Sequence, residues 1–292
     1  MRADMCLRND RDKKTAAAAA HLARMEDMRE YVLQKIADGN MGIAGYLTVQ
    51  FYCAEAKAFV AQAKGKPSTD PESQSLLLIH LAIARLGYSD WFNNEESRLI
   101  ADRFNNSVIW SRDWFKAEFV AAKSATDKTA AADKYLERTR QLEQRVNDAF
   151  KARKIEQLDV EEMRYVRADV DLHVAEARTG SEAARLRSEA AEAKLQSAKI
   201  VAETRMASFL AGRSNFEAVY EWSTAWRDAA IDKAASKAQR ITAAEDHLRR
   251  MRTVDSTVRA LVAAGRASEW SGWATAYMVA DAELFLMQTK KL

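Results

Sequence analysis

Residues 21–66 align with residues 247–292 without a gap, and this self-similarity constrains the fold more than any other feature of the chain. His21, Leu22, Arg24, Met25, Val32, Ala37, Gly39, Ala54, Ala56, Phe59, Gln62 and Lys64 meet His247, Leu248, Arg250, Met251, Val258, Ala263, Gly265, Ala280, Ala282, Phe285, Gln288 and Lys290. Two further ungapped copies fall between them. One runs from Leu136 through Val146, Phe150 and Ala152 to Leu158 and Val160, the next from Leu195 through Phe209, Ala211 and Gly212 to Glu217 and Val219. A fifth, degenerate copy is expected at 80–125, opening His80-Leu81-Ala82 and closing Phe119-Val120-Ala121-Ala122-Lys123. A unit of this length is one supersecondary element, and it cannot bury its apolar stripe without a neighbour.

Each copy follows one plan. An amphipathic helix runs to Ala-Gly-Arg or a variant, a short polar turn follows, and a second helix carries apolar residues at three- and four-residue steps. Gly39, Gly212 and Gly265 suit the left-handed position that closes a helix. Ser214 and Ser268 are then expected as N-caps of the next helix, with Glu217 and Glu269 in its first turn. So short a connection makes the two helices antiparallel. In the second copy Arg153-Lys154 replaces the glycine, which implies a different turn or a more continuous helix there. Within 182–211, Leu186, Ala190, Ala193, Ser197, Ile200, Thr204 and Ala207 alternate four- and three-residue steps and predict a packing seam.

Composition points the same way. Only two prolines occur, Pro67 and Pro71, both inside 64–73, and helix formers dominate elsewhere. The expected fold is all-α: repeated antiparallel helical hairpins packed as a coiled-coil-like bundle or an elongated stack. Its parts are an N-terminal tail (1–20), a hairpin repeat (21–66), a proline-containing linker with a degenerate aromatic-rich hairpin (67–133), and three hairpin repeats (134–292).

The run Phe209-Leu210-Ala211-Gly212-Arg213-Ser214-Asn215-Phe216-Glu217-Ala218-Val219 resembles the hairpin signature of TolC-type outer-membrane efflux proteins. Lys154-Ile155-Glu156-Gln157-Leu158-Asp159-Val160 looks like the partner copy in that family, and Ala264-Gly265-Arg266-Ala267-Ser268-Glu269 is similar. The resemblance covers most of 134–292 and 21–66. It implies a hairpin body and a bacterial cell-envelope setting. TolC-type proteins also supply β-strands to a trimeric membrane barrel, and no alternating strand segment occurs here, so an export channel is not expected.

Charge and motifs narrow the function classes. Lys plus Arg number 45 and Asp plus Glu 42, interleaved along the helices, so no one-signed stripe invites nucleic acid. No stretch approaches a transmembrane span, and Ala16 to Ala20 is too short for a secretory core. The chain as given reads as cytoplasmic, or as periplasmic or cell-envelope if an export signal has been removed. Cys6 and Cys53 are too few for a disulfide framework, and Cys53 is expected as a buried thiol.

Catalytic patterns are missing. None of the four histidines has an acid three residues before it, and no Cys-x-x-Cys, phosphate loop or Gly-x-Ser-x-Gly is present. No enzyme, no resident cofactor and no metal are expected. The best candidate ligands are His21 with Met25, repeated as His247 with Met251, whose four-residue spacing places imidazole and thioether on one face, suited to copper or haem. Packing in a methionine-lined core is the expectation for the same residues. Trp110 with Trp114, Trp222 with Trp226, and Trp270 with Trp273 are expected chiefly to fill gaps between alanine-rich helices. Trp91 and Phe92, in a turn-like run, and Trp270 with Trp273 are the candidates for a partner-binding surface.

The sequence therefore predicts a non-enzymatic scaffold that self-assembles or binds protein partners through its hairpins, a homo-oligomer or larger assembly. The alternative is a helical bundle that binds a metal, haem or apolar ligand through the His/Met or tryptophan sets. The repeat reaching Leu292 with no capping segment favours the first.

Overall fold

A computed structural model describes residues 11–40, 43–65, 75, 78–79, 81–86, 88–89, 100–178 and 180–291. Among these residues the chain is helical with short connections and no strand. In chain order the long helices are α1 (Arg11–Ala37), α2 (Ile43–Ala63), α3 (Ile100–Ala121), α4 (Ala125–Lys151) and α5 (Gln157–Glu176). They continue with α6 (Ser181–Leu210), α7 (Phe216–Lys233), α8 (Lys237–Ala263) and α9 (Glu269–Lys291). The all-α expectation holds. The tail needs correction, because α1 already begins at Arg11 and takes in the alanine run, with Ala18 fully buried. Five alanines in a row favour helix, and helix extends wherever a neighbour covers one side of it. Residues 1–10, Pro67, Pro71, Trp91 and Phe92 lie outside the described residues.

Four connections share one turn. The Gly39 amide donates to the Ile36 carbonyl at 2.9 Å and the Asn40 amide to Lys35 at 2.8 Å. The same two bonds recur at Arg153 and Lys154, at Gly212 and Arg213, and at Gly265 and Arg266. The pattern is a Schellman closure, which requires a left-handed residue, and φ is 73°, 55°, 72° and 67° at Gly39, Arg153, Gly212 and Gly265. The second copy therefore keeps the common turn instead of the different one expected there. Geometry prevails over residue preference, at a backbone cost of about 1 kcal/mol for a side-chain-bearing residue.

The N-caps are partly as expected. Ser268 accepts the Ser271 amide at 3.3 Å. In the preceding copy the cap is Asn215, not Ser214, its Oδ1 accepting the Ala218 amide at 2.9 Å. Asn215 and Ser268 stand at the same distance past their left-handed glycines, so the shared turn selects Asn215 and leaves Ser214 inside the connection. At the start of α5 the Asp159 carboxylate accepts the Glu156 amide at 2.8 Å.

The chain divides into two compact units, 1–142 and 143–292. In the first, α1 packs along α2, and Val32 of α1 and Val49 and Ala56 of α2 are buried. Cys53 is buried there, with its thiol donating to the Met25 carbonyl at 3.2 Å. Phe51 of α2 meets Trp110 of α3 edge-on, and Phe115 of α3 stacks on Tyr135 of α4 with centroids 4.6 Å apart. In the second unit each helix packs on its sequence neighbour: α5 on α6, α6 on α7, α7 on α8, and α8 on α9. Phe209, Val219, Leu248, Met251, Val254, Val258, Met278 and Ala282 form one apolar cluster.

The seam of α6 is displaced from the expected one. Ala190 and Ser197 are buried, but Ala193, Ile200, Thr204 and Ala207 are exposed. The buried face instead carries Lys194, Ala198, Val201 and Ala202. Lys194 is tolerated because Asp169 of α5 reaches its ammonium at 2.8 Å and Asp232 of α7 at 3.3 Å. Half-buried Arg205 follows the same face one step further, held by Glu162 of α5 at 2.6 Å. Charged residues enter a seam when the facing helix supplies the opposite charge.

Candidate functional site

The His/Met candidates resolve into a repeated core position. Counted back from the four left-handed turn residues, His21, Tyr135, Lys194 and His247 occupy one place. Tyr135, Lys194 and His247 are buried there, whereas His21 is half-buried. Each buried member finds a different solution to the same location. Tyr135 stacks on Phe115, Lys194 pairs with Asp169 and Asp232, and His247 shares a hydrogen bond with Ser223 of α7 at 2.8 Å. Tyr135 and Lys194 stand one residue before Leu136 and Leu195, where the two middle copies of the repeat become recognisable in the sequence.

His247 is wholly enclosed, and Met251 one turn on belongs to the apolar cluster. Arg250 also donates to the Ser223 hydroxyl, at 2.7 Å, so that one hydroxyl joins the imidazole Nδ1 to the guanidinium. Nε2 has no partner. Burial, then the positive charges of Arg227 and Arg250, push the imidazole pKa down to about 3. Burial likewise lowers Arg250 to about 10. This is a packed polar centre, with Arg250 lying over the Trp226 ring at 4.0 Å and Arg227 over Phe285 at 3.8 Å. Among the described residues no three His, Cys, Asp or Glu side chains gather as a metal-ligand set. No described helix is long and apolar enough to cross a membrane.

The tryptophans separate into two kinds. Trp110 is buried, and Trp114, Trp222 and Trp226 are half-buried in contacts such as Trp222 with Tyr165. Trp270 and Trp273 depart from the core expectation: they are 62% and 70% exposed. They are the start of a longer feature. Trp270, Trp273, Tyr277, Ala280, Leu284 and Met287 are all exposed on α9, at alternating three- and four-residue steps. That spacing draws one stripe along a helix and is the pattern of a coiled-coil seam. The opposite side of α9, with Thr275, Met278 and Ala282, is buried against the rest of its unit. Thr275 donates to Asp255 at 2.9 Å, and Tyr220 to Asp281 at 2.9 Å, which fixes the rotation of α9 and holds the stripe outward. Tyr277, Leu284 and Met287 escape single-residue inspection, but the 3-4 count along the helix finds them. Trp91 and Phe92, the other partner candidates, lie outside the described residues.

A groove of about 620 Å³ runs on another side of the α8–α9 hairpin, lined by Glu245, Arg249, Arg252 and Leu286 among others. Its charges are already paired, Arg252 with Glu283 at 2.8 Å and Lys290 with Glu245 at 3.0 Å. The aromatic stripe is thus the strongest candidate for function. No family model, no curated protein and no solved structure matches this chain.

Proposed function

We propose that the protein is a non-enzymatic helical-hairpin scaffold that engages protein partners through the aromatic stripe of α9. One observation carries this reading: six residues at seam spacing, three of them large aromatics, stand exposed on a helix whose other side is well packed. Scattered exposed apolar residues are ordinary, but a contiguous apolar stripe marks a contact surface. Trp and Tyr are also the residues that most often dominate protein interfaces. The occupant of a seam is another helix, because only a helix offers knobs at matching steps.

The test is a photo-crosslinking amino acid in place of Tyr277 in the full chain, expressed in cells. Protein adducts are expected at this position and not at the exposed control Arg213, which lies in a turn. Equal labelling at the two positions, or none at either, overturns the reading.

A further inference from the structure

The hairpins themselves show what covers this face. In α7, Tyr220, the counterpart of Trp273, lies against His247 of α8 with ring centroids 6.2 Å apart. In α5, Tyr165, the counterpart of Tyr277, has the Lys194 ammonium of α6 over its ring at 5.9 Å. In both cases the second helix of one hairpin is covered by the first helix of the next. The first helices use a constant set of positions for this. Arg138 of α4 lies over Trp114 of the preceding helix at 3.9 Å, and Arg250 of α8 over Trp226 of the preceding helix at 4.0 Å. One turn on, Leu142, Val201 and Val254 are buried.

In α1 the same positions hold Arg24 and Met28, followed by Tyr31. Arg24 is exposed, Met28 is 49% exposed and Tyr31 57%. So α9 presents an uncovered second-helix face and α1 an uncovered first-helix face. We propose that α9 of one copy docks antiparallel on α1 of a second copy, head to tail, repeating between chains the contact that joins α7 to α8 within one. Continuity with the internal hairpin contact selects this occupant, and the inference rests on reading the α9 stripe as a protein-binding face.

The experiment is sedimentation velocity of the full chain across a wide concentration range, with one variant blocking each face. Met28→Glu blocks α1 and leaves α9 intact, while the double variant W273E/Y277E blocks α9 and leaves α1 intact. All three positions are exposed, and circular dichroism checks that each variant keeps its helix content. The wild type is expected to associate reversibly, and each variant alone to weaken association at least on the order of tenfold. An equimolar mixture of the two variants is expected to form one-to-one dimers, because one α9 face and one α1 face survive in the mixture. Undiminished association of Met28→Glu overturns the proposal, since it shows α9 pairing with something other than α1. So does a mixture that stays monomeric. A wild type that is monomeric throughout also overturns it, and crosslinks from position 277 to a different protein would then leave the α9 reading standing. If Met28→Glu loses helix content, Arg24→Gln takes its place as the α1-face variant, with the same outcomes.

Discussion

His247 shows how a repeat position changes chemistry when its surroundings do. The imidazole is fully enclosed beside two arginines, and its pKa falls from the usual 6.5 to about 3. The sign follows directly. An unfolded chain takes up a proton at this side chain below pH 6.5 and the folded chain does not, so acidification favours unfolding between pH 6.5 and about 3. The contribution is fully present above 6.5 and shrinks below it. Between pH 7 and pH 5 the wild type should lose about 2 kcal/mol through this residue alone. Urea denaturation at the two pH values checks it: a His247→Gln variant should lack that part of the pH dependence. Equal pH dependence in wild type and variant would mean that the ring charges inside the fold. The repeated His21 is not expected to behave alike, because its half-buried ring is only pushed down from its usual value, mainly by burial and then by Arg24.

The four shared turns make the strongest case at the scale of the element. Three carry glycine and one carries Arg153, all with φ between 55° and 73°. A Cβ added at Gly39, Gly212 or Gly265 would meet nothing within 4 Å, so only backbone preference separates glycine from other residues there. Arg153→Gly should therefore stabilise the protein by roughly 0.5–1 kcal/mol, and Gly212→Ala should destabilise it by about 1 kcal/mol. Thermal unfolding of the two variants tests this pairing; a destabilised Arg153→Gly would show that the arginine side chain holds the turn by contacts of its own. The hairpins were legible in the sequence because glycine turns and three-four spacing are local signals. The α6 seam was not, because reading only small and apolar residues leaves out Lys194 and Arg205, whose burial depends on acids of α5 distant in sequence. The α9 stripe was half legible. Trp270 and Trp273 stand out by type, but whether a helix face is inside or outside is decided by the helices packed beside it. The exposed Tyr277, Leu284 and Met287 have the same sequence pattern as a buried face.

At the scale of the whole molecule, the head-to-tail contact has consequences that a two-fold contact lacks. A contact between unlike faces leaves one α9 and one α1 unused in every dimer, so growth continues unless the chain of copies closes into a ring. A single helix-on-helix contact is also small beside a standard protein interface, which places each step in the weak, concentration-dependent regime. The mass of the wild-type assembly should therefore climb with concentration without settling at a dimer. The W273E/Y277E variant then becomes a probe of architecture. It can join a growing end through its intact α1 face, but it offers no α9 face for the next copy. A minor admixture should lower the average mass of the wild-type assembly, measured by light scattering at fixed wild-type concentration. A variant blocked on both faces, with Met28→Glu added, should have no such effect, since it cannot join at all. If the two additives act alike, growth does not pass from α9 to α1. If only the α9-blocked variant shortens the assembly, the polarity is established: each copy accepts a neighbour on α9 and presents α1 to the one before.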